Sequence, residues 1–309
     1  MLTNYPAHID EKVKESFNMY STEAMENSSI NVLFNVNTTN DYSKGYSSVE
    51  GGSWVDYFGE GADLNDVDTA EGYNTVGVAK EFGWKIKVTK KEMLNEKDET
   101  TLFNTIVNSK MPVLMSDMLN FVEEQTMTLL NNGFTTALAP DGVAIFGTHT
   151  YNSSSQTFTN RHLTNIVAGS WALTALEAYA WDLKDANGKP MPVSPKTLVV
   201  KKGGSASVAF RQVLASNADL VATTVGNVNI YNNGDYTLIE SPFLNSATAW
   251  FAFDSKKENP LIVDFVQNPT LEERQTRENL TQVTPASGSF RFGAYQLPTT
   301  WYGSDGTGV

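Results

Sequence analysis

SWALTALEAYAWDLKDANGKPMPVSPKTLVV, residues 170–200, is the stretch whose reading decides the fold. Leu173, Leu176, Tyr179, Ala180 and Leu183 recur at three- and four-residue steps, which predicts a helix with one apolar face, and Ser170 stands where an N-cap belongs. Asp185-Ala186-Asn187-Gly188 then stops the helix, because Asn and Gly accept the positive φ that a helix stop or tight turn needs; Gly188 is assigned that conformation. Thr197-Leu198-Val199-Val200 follows as a strand. The order is helix, polar turn, strand.

Working outward, the strongest helix signal lies at 112–132. Met115, Met118, Leu119, Val122, Leu129 and Leu130 share a face, Pro112 suits the first turn and Gly133 the stop. A further helix is expected around Val208, Ala209, Phe210, Val213 and Leu214, with Ser205 and Ser207 as caps. Val228–Tyr231 and Tyr236–Glu240 flank Asn232-Asn233-Gly234-Asp235, a hairpin signal. Strands are expected at Trp250–Phe253, Leu261–Val266 and Phe290–Ala294, and a short exposed helix at Leu271–Leu280. Upstream, 10–26 reads as a weakly amphipathic helix carrying Val13, Phe17, Tyr20 and Ala24, an arm suited to docking on a neighbour. Residues 37–91 form a long β excursion, with strand alternation at Phe82, Trp84, Ile86 and Val88 and an acidic tip at Asp63, Asp66, Asp68 and Glu71. Excursions of that length usually have a binding or assembly task. The coarse fold class is α+β.

Length and composition narrow the function. The 309 residues suffice for a large core, and zero cysteines exclude disulfides, thiolate catalysis and zinc ribbons together. The first residues lack a basic and then apolar leader, and no apolar run approaches the roughly 18 residues of a membrane helix. With 35 acidic against 22 basic residues the net charge is −13, which opposes tight sequence-independent DNA binding while suiting a wall past which packed DNA slides.

The helix, the KDANGKPMPVSP turn and the TLVV strand, preceded by Ala139-Pro140-Asp141-Gly142-Val143-Ala144-Ile145-Phe146-Gly147-Thr148-His149, resemble the major head subunit family of Mu-like phages and prophages. The motif-level likeness covers about 112–302, and the first ninety residues match in architecture only. The resemblance implies the tailed-phage major capsid fold: an N-terminal arm at 1–36, an E-loop hairpin at 37–93, a P-domain with a long spine helix at 94–163, an A-domain at 164–284, and a closing P-domain strand with the C-terminus at 285–309. It also implies a structural protein forming hexamers and pentamers of an icosahedral head around double-stranded DNA, present in the virion and assembled in the host cytoplasm. Its partners would be itself, portal, scaffold or decoration proteins, and DNA enclosed without specific binding. No long helical extension precedes the arm, so either a separate scaffold or a mature chain is expected. An encapsulin-like nanocompartment shell is the alternative, followed by an acidic soluble binding module or hydrolase that would stay monomeric.

No residue pattern argues for an enzyme, a cofactor or a metal site. His8, His149 and His162 lack partners at metal-ligand spacing, and His149 suits a turn or interface hydrogen bond. Glu123-Glu124 and Asp98-Glu99 are adjacent pairs whose side chains diverge on a helix. The acidic tip reads as a solvated loop rather than a cation site. What remains is aromatic: Trp54, Tyr57, Phe58, Tyr73, Phe82 and Trp84 cluster where the chain is least able to bury them, and they are the candidate inter-subunit contacts.

Overall fold

The computed structural model describes residues 11–19, 28–52, 69–95, 101, 104–161, 167–217, 229–232, 234–273, 275–276 and 281–307. Helices are α1 (11–19), α2 (Ile30–Leu33), α3 (Lys90–Asn95), α4 (Met111–Asn131), α5 (Ser170–Asp182) and α6 (Ser205–Ala215). Strands are β1 (Asn35–Thr38), β2 (Ser43–Gly52), β3 (Thr69–Val78), β4 (Lys80–Val88), β5 (Thr148–Thr150), β6 (Thr157–Thr159), β7 (Thr197–Lys201), β8 (Thr237–Ser241), β9 (Trp250–Phe253), β10 (Leu261–Leu271), β11 (Gln275–Thr276), β12 (Gln282–Ala294) and β13 (Trp301–Ser304). They divide between two units, one of residues 1–44, 78–126 and 263–292, the other of 45–77, 127–262 and 293–309.

The first unit is built on a five-stranded sheet in the order β1-β10-β12-β11, with β4 also paired to β12. β4 runs antiparallel to β12, Trp84 opposite Ala286 and Ile86 opposite Thr284. The expected alternation holds in β4: Ile86 and Val88 are buried, Phe82 and Trp84 half-buried on the same face, and Lys85 and Lys87 point to solvent. That face packs with Val13 and Phe17 of α1 and with Met111, Met115 and Met118 of α4. The N-terminal segment was expected to dock on a neighbour, yet the described part of its apolar face lies in its own unit, Phe17 wholly buried 6.1 Å from Trp84. The long helix begins earlier than expected. A π-helical turn, Thr105–Lys110, precedes it and buries Ile106 and Val107. Pro112 has no N–H to donate to the preceding turn, so the path widens there instead of starting there.

At the centre of this sheet a charge is buried. Arg291 of β12 is 1% exposed, and its Nε and Nη2 donate to Oδ2 of Asp264 on β10 at 3.1 and 3.0 Å. Nη1 donates to the Asp41 carbonyl at 2.7 Å, Asn37 Nδ2 donates to Asp264 Oδ1 at 3.3 Å, and Lys44 Nζ stands 3.5 Å from Oδ2.

The second unit centres on a four-stranded sheet, β13-β9-β7-β8, in which β7 is parallel to β8 and antiparallel to β9. Leu198, Val199 and Val200 are wholly buried, so TLVV is a strand covered on both faces. One face carries Leu198, Val200, Trp250 and Tyr302 against Leu173 and Leu176 of α5 and Phe210 and Val213 of α6. On the other, Phe251 packs against Phe134 and Phe146, at 5.6 and 5.1 Å between centroids. The polar turn after α5 takes the expected form: Gly188 has φ +76°, and Asp185 Oδ1 accepts from the backbone N–H of Asn187 and Lys189.

Three expectations fail here. The cap before α5 is Gly169 and Ser170 is the first helical residue; α6 likewise follows Gly204. Among the described residues no hairpin flanks Asn232-Asn233-Gly234: Gly234 has its positive φ, but Asn229 Nδ2 donates to the carbonyls of Val213 and Ser216 and pins 229–232 as a turn. Tyr236 then enters the core and β8 pairs in parallel with β7. Of the charged helix expected over 271–280, the described residues 271–273 and 275–276 run along the sheet instead, because Glu272 N–H donates to the Pro285 carbonyl and β11 pairs with β12; sheet pairing outweighs local helix propensity. Within 285–309, β12 belongs to the first unit's sheet and β13 to the second's.

Candidate assembly surface

β2 and β3 pair as a two-stranded ribbon of ten residues per strand, whose residues between 45 and 77 belong to the second unit. At the two ends of the 37–93 segment, β1 and β4 are strands of the five-stranded sheet. Its residues alternate sharply. Tyr46, Glu50, Gly72 and Gly77 are buried, while Val49, Val76 and Val78 are 68%, 69% and 57% exposed.

The inner face is tied down by named contacts. Tyr46 stacks on Tyr295 at 4.1 Å, and Thr75 Oγ1 donates to the Tyr295 carbonyl. Gly77 approaches Tyr295 so closely that a Cβ would lie 2.6 Å from its hydroxyl. Tyr73 donates to the Thr150 carbonyl at 3.0 Å, and Ser153 donates through N and Oγ to Glu50 Oε2, both at 3.0 Å. Gly51, φ +65°, sits against Asn187 of the polar turn, where a Cβ would come within 2.7 Å. Burial, then the charges of Asp141 and Glu50, raises the Tyr73 pKa; burial, then Asp185 and Glu50, raises that of Tyr151. Both phenols therefore stay neutral beside this acidic ground.

The residues singled out in the sequence separate into two groups. Trp54, Tyr57 and Phe58 lie outside the described residues, as do Asp63, Asp66, Asp68, His8 and His162. The other three are brought against the chain's own cores: Tyr73 packs with Tyr151 and Phe158, and Phe82 and Trp84 pack with Phe17 and Ile86. Their alternation belongs to a covered strand face. Exposed apolar residues lie elsewhere, among them Val49, Val76 and Val78 on the ribbon and Trp171 and Trp181 on α5, the last two 69% and 85% exposed. A signal for them existed: both tryptophans fall off the Leu173, Leu176, Tyr179 stripe, and Val49 and Val76 have the opposite parity to Tyr46 and Tyr73.

His149 lies in β5, paired with Phe158 of β6, rather than in a turn. It is wholly buried, with Nδ1 2.9 Å from Asp141 Oδ2 and Nε2 3.0 Å from the Ile145 carbonyl. Burial acts to raise the Asp141 pKa, but the hydrogen bond and charge of His149 and the N–H groups of Val143 and Thr150 outweigh it and hold the carboxyl below its usual value. Among the described residues no three acidic or histidine side chains converge on a point that would hold a metal.

Residues 59–303 match the family model described as phage capsid protein. The chain belongs to that family. This major capsid protein has the fold of its solved counterparts in tailed phages. It is similar to the chain of Microbacterium phage Oxtober96, with 11% identity, 90% of each chain covered and a TM-score of 0.53. It is likewise similar to the capsid structure of cyanophage P-SCSP1u, with 15% identity, 89% of this chain and 87% of that one covered, and a TM-score of 0.53. No curated protein matches the sequence. The match is to the phage capsid family as a whole, and it does not favour the nanocompartment alternative. Family and fold make the molecule a structural component of a phage head.

Proposed function

We propose that this capsid protein closes into an icosahedral shell of hexamers and pentamers around double-stranded DNA, assembling in the host cytoplasm with a portal and with scaffold or decoration proteins. The observation that carries the reading is the β2–β3 ribbon: anchored by its inner face, it holds Val49, Val76 and Val78 outward as an apolar surface that a lone subunit leaves in water. Trp54, Tyr57 and Phe58, between β2 and β3 in sequence, are retained as lateral contacts. A net charge of −13 favours enclosing DNA over binding it. Replacing 45–77 with a short Gly-Ser linker tests the proposal: the shortened chain stays folded by circular dichroism but no longer forms closed particles in electron micrographs. Normal shells from that chain would refute the ribbon's role.

A further inference from the structure

The inner face of the ribbon holds a polar group that the fold leaves unsatisfied. Glu50 of β2 is 6% exposed; its Oε2 accepts both bonds from Ser153, whereas Oε1 is buried and accepts none. A buried carboxylate oxygen without a donor is costly in the isolated chain, and a donor arriving on assembly relieves that cost. Glu50 lines a cavity of about 420 Å³ with two further carboxylates, Asp185 and Glu258, and with apolar Ala186, Met191 and Leu297. Carboxylates beside an apolar wall suit a cation carried on an aliphatic stem. A bare metal ion suits it less, because no three ligating side chains converge among the described residues.

The complementary charge is on the same chain. In a molecule of net charge −13, Lys80, Lys85, Lys87, Lys90 and Lys91 fall within twelve residues and all are exposed. Lys85 and Lys87 project from the solvent face of β4, opposite the face that packs on the core. Copies with so large a net negative charge repel one another unless their contacts set basic groups on acidic ones.

We propose that the Glu50 cavity receives the ammonium group of Lys85 or Lys87 from a second copy of the chain. The proposal rests on the self-assembly reading and names a contact within it. Truncating one member of such a pair raises the subunit concentration needed for half-assembly by roughly tenfold or more. Glu50→Gln and the exposed pair Lys85→Gln/Lys87→Gln each have this effect, and combined they have no more than either alone, because they break the same contact. In shells made from a mixture of isotope-labelled and unlabelled full-length subunits, a carbodiimide links Glu50 or Glu258 to Lys85 or Lys87 in peptides of mixed label. Should Glu50→Gln fail to fold, the lysine variant and the cross-link carry the test, since neither disturbs the core. Wild-type assembly by the lysine variant, cross-links confined to one label, or a different lysine joined to Glu50 would each overturn the proposal while leaving the capsid reading intact. Failure of the unaltered protein to form shells would overturn both.

Discussion

The Arg291–Asp264 pair offers the sharpest test of how the first unit is held together. Both side chains are fully shielded from solvent, and two guanidinium N–H groups converge on one carboxylate oxygen. Asp264→Ala strips a buried cation of its counter-charge, and breaking a buried pair in this way costs about 3–5 kcal/mol. Arg291→Met leaves the carboxylate, but Asn37 and Lys44 still face it, Lys44 from 3.5 Å and with a 36% exposed side chain. Its cost therefore falls toward about 3 kcal/mol. Replacing both, as Asp264→Leu with Arg291→Met, removes both desolvation penalties, so the double variant loses far less than the sum, with a coupling of roughly 3 kcal/mol. Urea unfolding of the unassembled subunit measures all three against wild type at unchanged m-value. Single variants within about 1 kcal/mol of wild type, or an additive double variant, would refute the argument that the pair is a mutually dependent buried charge.

Three further outcomes follow from local geometry. Gly188→Val, at φ +76°, lowers subunit stability by about 1–2 kcal/mol, because a β-branched residue does not accept the left-handed region; an unchanged urea midpoint would contradict it. Asp141 has its pKa depressed beside His149, so its contribution is present above the unfolded carboxylate value and is lost as pH falls through the folded one. The stability gap between wild type and Asp141→Asn therefore holds above the unfolded carboxylate value of about 4 and narrows as pH falls below it, and a constant gap would count against the depressed pKa. Trp84→Ala destabilises the isolated subunit by about 2–4 kcal/mol, since the ring packs on Phe17 and Phe82. A loss confined to assembly, with the subunit's unfolding unchanged, would return Trp84 to the lateral contacts.

The legible parts of this fold were those whose signal is local. The α5 stripe, the turn at Gly188 and the TLVV strand each follow from side-chain spacing or backbone conformation, and the structure has them where the spacing puts them. Elements decided by a distant partner were not legible. The strand at 237–241 looks like half of a hairpin because its parallel partner, β7, lies some forty residues upstream. Residues 271–276 look helical because nothing nearby announces that β12 is waiting to pair. At the candidate surface, aromatic content misdirected the reading. Phe82 and Trp84 are conspicuous, yet a period of two means a covered face, and β12, α1 and α4 supply the cover. Glu50 gave no signal at all, because its burial depends on Ser153 and on a polar turn beyond residue 180.

Assembly itself is the central claim, and electron microscopy of the purified full-length protein, with and without a phage scaffold protein, tests it most directly. Closed particles of icosahedral symmetry are expected, in which the β2–β3 ribbon of each subunit lies against a neighbour. A protein that stays monomeric at high concentration in both conditions, or whose particles leave Val49, Val76 and Val78 in solvent, would contradict it.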